Sequence, residues 1–158
     1  MNAPHRNVVA VDAVLAAAGV PGRVRVLAEA ATTAASAAAQ LGVPVGAIAN
    51  SLVFATEAGE PVLVMTSGAH RVDPQKAAAA LGVGRLERAD KDLVHRATGQ
   101  RIGGVAPVGH PAPLRTLVDT ALADHPQVWA AGGIPHAVFP TTFDELVRLT
   151  GGTPAEVA

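Results

Sequence analysis

The chain has 158 residues, 49% of them apolar, with a formal charge of −1 and no cysteine. That length suits one domain with one core. The near-neutral charge argues against a general nucleic-acid coat, and the lack of cysteine excludes disulfides, thiolate nucleophiles and cysteine metal sites. Aromatics make up only 3% of the residues, so the core is expected to be built from Val, Leu, Ile and Ala at close spacing. No apolar run approaches the roughly eighteen residues of a membrane span, and no charged n-region precedes a long apolar stretch. A soluble cytoplasmic protein with no membrane or DNA partner is expected. The six histidines show no HxH or HExxH spacing, so neither a metal centre nor a cofactor is anticipated.

In chain order, residues 1–7 are polar and are expected to fray. Residues 8–19 carry apolar side chains at 8, 11, 14, 15 and 18, a helical spacing stopped by Gly19 and Pro21. Residues 23–28 alternate as a strand. Thr32 or Thr33 caps a helix that runs through the alanines to Leu41 and ends at Gly42. Strands follow at 47–56 and 62–66, joined as a hairpin with Gly59 in its turn.

Asp73 and Pro74 start a helix closed by Gly82. Residues 84–89 read as a short strand, and Asp90 begins a helix that delivers the chain to Gly99. Further strands are expected at 114–118, 128–130 and 137–139. A last helix at 143–149 is capped by Thr141 or Thr142, with Glu145 placed to close a capping box on Thr142. The tail after Gly151 reads as loose. No repeat and no domain boundary interrupts the chain. The irregular mixture of strands and helices predicts a mixed α/β (α+β) domain over 1–158.

Residues 98–113, TGQRIGGVAPVGHPAP, pack four glycines and three prolines into sixteen positions. Gly103 and Gly104 can take positive φ and admit close approach to the backbone. Pro107, Pro111 and Pro113 hold the loop in one shape, so little ordering entropy remains to be lost on binding. Such clusters are often plain connecting turns. Connections longer than about twelve residues, however, are usually functional or disordered, and the ordered flanks here favour function.

Four stretches occur in a fixed order: LGVPVGAIANSLVF, VLVMTSGAHRVDPQK, TGQRIGGVAPVGHP and WAAGGIPHAVFPTTFDELVRLTGG. Over roughly residues 23–151 the chain resembles the YbaK/ProX family, free-standing relatives of the editing domain inserted in bacterial prolyl-tRNA synthetases. The resemblance implies a curled mixed sheet or partial barrel surrounded by helices. It also implies hydrolysis of the ester of a mischarged tRNA, for example alanyl or cysteinyl on the proline tRNA. The implied partner is the 3′ end of an aminoacyl-tRNA, and an aminoacyl-tRNA synthetase is the other partner that the resemblance admits.

In this reading the backbone of Gly103, Gly104 and Val105 serves the developing oxyanion, which needs no ionisable side chain. Gly132 and Gly133 form the facing wall. The strand ending IANSLVF departs from the family pattern, with Asn50 where a lysine is thought to hold the phosphate or sugar of the tRNA 3′ end. Asparagine keeps donor and acceptor but has no charge, and losing a charge-assisted contact costs about 1.5–3 kcal/mol. Asn50, beside Ser51, is therefore either a pocket residue or a solvated or structurally bonded amide.

His70 and Arg71 follow a strand end, where they either reach a phosphate or form a solvated turn. His110 is a proton carrier or a backbone clamp, and His136 has similar standing. Trp129 is assigned to the core. Residues 71–101 carry seven Lys or Arg against four Asp or Glu, the best candidate for a tRNA-facing side. Ala49, Val53, Val105 and Ala131 predict a pocket for a small side chain. Two readings stay open: a trans-editing deacylase, and a binding module of the same fold weakened or inactivated at Asn50.

Overall fold

The computed structural model describes residues 4–158. Helix α1 (Arg6–Ala17) starts two residues before the expected 8–19 span, because the His5 ring accepts the Asn7 N–H and caps it. Strand β1 is only Arg25–Val26, and the remainder of the expected 23–28 strand lies outside the ladder. Helix α2 (Ala34–Leu41) is capped by Thr33 rather than Thr32. Its hydroxyl accepts the Ser36 N–H while the Ser36 hydroxyl accepts the Thr33 N–H, a complete capping box.

A 3-10 turn (Val45–Ala47) leads into β2 (Ile48–Thr56), which forms the expected hairpin with β3 (Pro61–Ser67). Gly59 in that turn has φ +80°. Then come α3 (Pro74–Leu81), capped by Asp73, β4 (Leu86–Arg88), and α4 (Lys91–Thr98), capped by Asp90. After the glycine loop follow β5 (Arg115–Asp119), a 3-10 turn (Thr120–Asp124), β6 (Val128–Ala131) and β7 (Ala137–Thr141). Helix α5 (Phe143–Thr150) is capped by Thr142, and β8 (Thr153–Ala155) ends the chain's regular structure.

Two C-terminal expectations are corrected. Glu145 donates its N–H to the Thr142 hydroxyl, but its carboxylate accepts the Thr141 hydroxyl at 3.1 Å instead of the cap's own N–H, so the box closes on one side only. The tail is not loose. β8 pairs in parallel with β5, Val157 is fully buried, and the Val157 carbonyl accepts the Asp73 N–H at 2.6 Å.

The sheet is mixed and open, in the order β1-β7-β6-β2-β3-β5-β8, with β4 joining β2 off this path. Both faces are covered. Leu63, Met65 and Val118 face a core built with Val11 and Leu15 of α1, Val94 of α4 and Leu146 of α5. Val62, Val64 and Leu117 face α3 on the other side, while Ile48 and Trp129 meet Ala37 and Ala38 of α2. Burial on both faces explains why β3 reads as a continuous apolar run rather than an alternating one.

The arrangement around β2 positions the site. Ile48 carbonyl accepts the Gly68 N–H and Thr56 N–H donates to Glu60 carbonyl, so the even-numbered residues of β2 turn their main-chain groups to β3. The odd-numbered residues turn theirs to the opposite edge, which two strands share. β6 covers it in parallel at Ile48 and Ala49, and β4 covers it in antiparallel from Phe54 to Thr56. Between them, around Ser51, the edge has no neighbouring strand among the described residues. A notch is left in the sheet.

Candidate active site

The notch opens into a cavity of about 200 Å³. Its floor is β2 from Ile48 to Val53. One wall is Trp129, Ala130 and Ala131 of β6 with Ile134 and Val138, and the opposite wall is Ile102 to Val105 with Val94 of α4. Residues 31–34 and Ala37 close the side towards α2. The 27–31 segment is held there by main-chain bonds from Leu27 N–H to His136 carbonyl and from Ala31 N–H to Pro135 carbonyl. Arg88 of β4 is the only ionisable side chain on the wall among the described residues. It lies on the same sheet face as Phe54, with its guanidinium 5.6 Å from the ring centroid, and no carboxylate bridges it among the described residues.

The glycine loop is braced from beneath by a buried amide that the sequence reading passed over. Gln100 is 1% exposed. Its Oε1 accepts the Ala106 N–H at 2.6 Å, and its Nε2 donates to Val108 carbonyl at 3.3 Å. The Thr98 hydroxyl donates to Val94 carbonyl and accepts the Gln100 N–H, tying this brace to α4. A lone glutamine amid small residues, flanked by two glycine turns, was the available signal.

Within the loop, Gly103 has φ +100°, a conformation that favours glycine. Gly104 is glycine for a different reason. A Cβ there would stand 2.7 Å from Ile134 Cα and from Pro135 N, so the loop packs backbone to backbone against the opposite wall. The Gly104 N–H turns back to Arg101 carbonyl at 3.3 Å. The N–H groups of Gly103 and Val105 make no hydrogen bond among the described residues.

Of the residues singled out in the sequence, Asn50, Ser51, Gly103, Gly104 and Val105 come together on this cavity. Asn50 is exposed, and its amide makes no hydrogen bond among the described residues. The Ser51 hydroxyl, 3.2 Å from the Met65 sulfur, has no base beside it. Trp129 is 7% exposed, as expected of a core residue, and it also forms cavity wall, with the Arg25 guanidinium 5.1 Å from its ring centroid.

The remaining residues are placed elsewhere. Gly132 and Gly133 are buried behind the wall rather than forming it. A Cβ at Gly132 would meet Val24 at 2.8 Å, and one at Gly133 would meet Asn7 of α1 at 2.9 Å. His136 is exposed and contributes its carbonyl to Leu27 rather than its ring to the cavity. His110 is the clamp of its two readings. Its Nε2 donates to Ala106 carbonyl at 2.8 Å, and burial lowers its pKa from the ordinary value, against a smaller raising effect of that bond. His70 lies at the far end of β3, with Nδ1 2.8 Å from the buried Asp119 carboxylate, which also accepts the Ser67 and Ala121 N–H groups. Arg71 beside it is exposed.

The site is a small receptacle in a gap of a sheet edge, with one charged side chain, Arg88, among its described lining residues and a braced glycine loop as one wall. The aminoacyl-tRNA editing domain family matches residues 28–149, and the chain belongs to that family. It is similar to the proline–tRNA ligase of Geobacter metallireducens, 35% identical over 69 residues that make up 44% of this chain and 12% of that enzyme. The chain thus spans about an eighth of that relative's length. The uncharacterized protein YwhH of Bacillus subtilis is 28% identical over 114 residues, 72% of each chain. A crystal structure described as a candidate trans-editing enzyme for prolyl tRNA synthetase is 39% identical, covers 98% of each chain and has a TM-score of 0.90. The expected mixed α/β fold is the fold of this relative. No helix among the described residues is long and apolar enough to cross a membrane.

Proposed function

We propose that the protein hydrolyses the ester of mischarged aminoacyl-tRNA bearing a small amino acid, with the proline tRNA as the first carrier to test. The carrying observation is the cavity itself: about 200 Å³, with apolar side chains on the β6 wall and the loop wall, two lining residues, Gly103 and Val105, whose N–H groups are unpartnered, and no nucleophile–base pair among its described lining residues. That volume lies below the roughly 300–1,000 Å³ of sites that engulf whole ligands. It suits an aminoacyl group whose nucleotide remains at the mouth.

The chemistry needs little more. A water oxygen bonds to the ester carbonyl carbon, and the negative charge on the carbonyl oxygen is met by the N–H groups of Gly103 and Val105. The bond from carbon to ribose oxygen then breaks, the attacking water gives up a proton, and the ribose oxygen takes one up, releasing the free amino acid and the tRNA hydroxyl. Losing one such donor typically costs about 10²–10³ in rate. Arg88 at the wall supplies the positive charge that Asn50 lacks, facing an anionic group of the terminal nucleotide.

The test is a deacylation panel of alanyl, seryl, cysteinyl and prolyl esters on the proline tRNA, with Ala131→Leu as a cavity-filling variant. Wild type is expected to hydrolyse at least one small ester, and Ala131→Leu to lose at least about tenfold while melting at an unchanged temperature. The uncharged Asn50 favours a second reading, a module that holds the aminoacyl end without cleaving it. Tight binding of the panel with no hydrolysis by wild type would select that reading and sink the first.

A further inference from the structure

Beside the cavity, on the other side of Ile134, lies a second concavity of about 230 Å³ whose ionisable side chains are all basic: His5, Arg6, His95 and Arg101. We infer that this cleft holds backbone phosphates of the single-stranded RNA 3′ end whose ester lies in the cavity. The inference rests on the editing reading above and adds where the strand leaves the site.

Three observations carry it. First, the two spaces are neighbours, since Ile134 lines both and Arg101 immediately precedes the cavity residues Ile102 to Val105. A strand whose terminal ester enters the mouth of one would pass beside the other. Second, Arg6 and Arg101 are both exposed, and no carboxylate bridges either among the described residues. A phosphodiester meets guanidinium groups through paired, charge-assisted hydrogen bonds. Third, helix stability does not explain Arg6. It opens α1, where the helix dipole disfavours a cation, and no acidic residue offsets it in the first turn. The cleft's position beside the ester cavity favours an RNA strand over an acidic protein surface, which would have no cause to sit next to that site.

The experiment compares wild type with Arg6→Gln, Arg101→Gln and the double variant, after melting curves verify folding, with Arg101→Lys as a charge-retaining control. One arm titrates a non-aminoacylated RNA hairpin ending in single-stranded CCA at two salt concentrations. The other measures hydrolysis of alanyl-adenosine, which has no phosphate. Each Gln variant should bind the hairpin about three- to tenfold more weakly and flatten the salt slope by about 0.7–1, with the double variant near the product and Arg101→Lys near wild type. Alanyl-adenosine hydrolysis should be unchanged throughout.

Hairpin binding that is absent in wild type, or equal in wild type and the double variant, overturns the inference while leaving the deacylase reading standing. Equal losses on hairpin and alanyl-adenosine also overturn it, because the arginines would then shape the cavity. Capture of a polyglutamate probe by wild type alone, with equal hairpin binding in both, would overturn it in favour of an acidic protein. If wild type leaves alanyl-adenosine intact, the deacylase reading is weakened, and the hairpin titration still decides the cleft.

Discussion

At the residue scale, the two loop glycines differ in what they do. Gly103 needs its left-handed backbone, whereas Gly104 needs the absence of a Cβ against Ile134 and Pro135. A bulky residue at 104 would therefore displace the wall as well as fill the site, and lost activity there would not isolate a backbone role. His110 offers a cleaner experiment. Burial lowers its pKa, so the folded protein resists protonation while the unfolded chain titrates near 6.5. Between those values the unfolded state binds more protons. The stability contributed by neutral His110 is thus present above pH 6.5 and is lost as pH falls below it. His110→Gln keeps an amide donor for Ala106 carbonyl and removes the titration. Its melting temperature should fall less than that of wild type between pH 7 and pH 5.5. Parallel pH profiles for the two proteins would refute the assignment.

At the element scale, the local signals were legible and the distant partners were not. Asp73 with Pro74, Asp90, Thr33 and Thr142 mark helix starts because each cap acts within a few residues of itself. That 103–105 form an ordered glycine loop was readable in the same way, from glycine content and loop length, and the structure puts them on the cavity. The notch was not, because it depends on β6 and β4 sharing one edge of β2 from about 80 and 35 residues away. Gly132 and Gly133 were misplaced for the same reason, since only the packing of α1 and Val24 shows which way they face. Arg88 was marked only as one of the seven basic residues in 71–101, with nothing to single it out from the others.

β8 was missed because three residues, one of them proline, give almost no period. Its anchoring is nevertheless measurable. Val157 is fully buried against the α3 side of the sheet, and Asp73, the cap of α3, donates to the Val157 carbonyl. Val157→Ala should lower stability by about 1–3 kcal/mol in urea unfolding. A loss below about 0.3 kcal/mol would mean that the tail is not held as described.

At the scale of the whole molecule, a small receptacle is a consequence of how the sheet is assembled. Two strands entering one edge of β2 from opposite ends leave a gap, and the loop braced by Gln100 reduces that gap to a chamber. Its two walls stand on strand β6 and on the braced loop. Within the β6 wall, Ile134 is a half-buried side chain projecting from a loop. Exclusion by overlap works only against larger groups, since a smaller one always fits. Wild type should therefore cleave alanyl and seryl esters and spare leucyl and phenylalanyl esters on the same tRNA. Ile134→Ala removes side-chain volume and leaves intact the backbone contact with Gly104. It should raise leucyl over alanyl hydrolysis, measured as the ratio of kcat/KM values, by about tenfold, the scale on which a few methylenes discriminate in an apolar pocket. The ratio cancels any uniform loss from altered folding or RNA binding. A leucyl ester cleaved by wild type as fast as an alanyl ester, or an unchanged ratio in a folded Ile134→Ala variant, would show that this chamber does not select the amino acid.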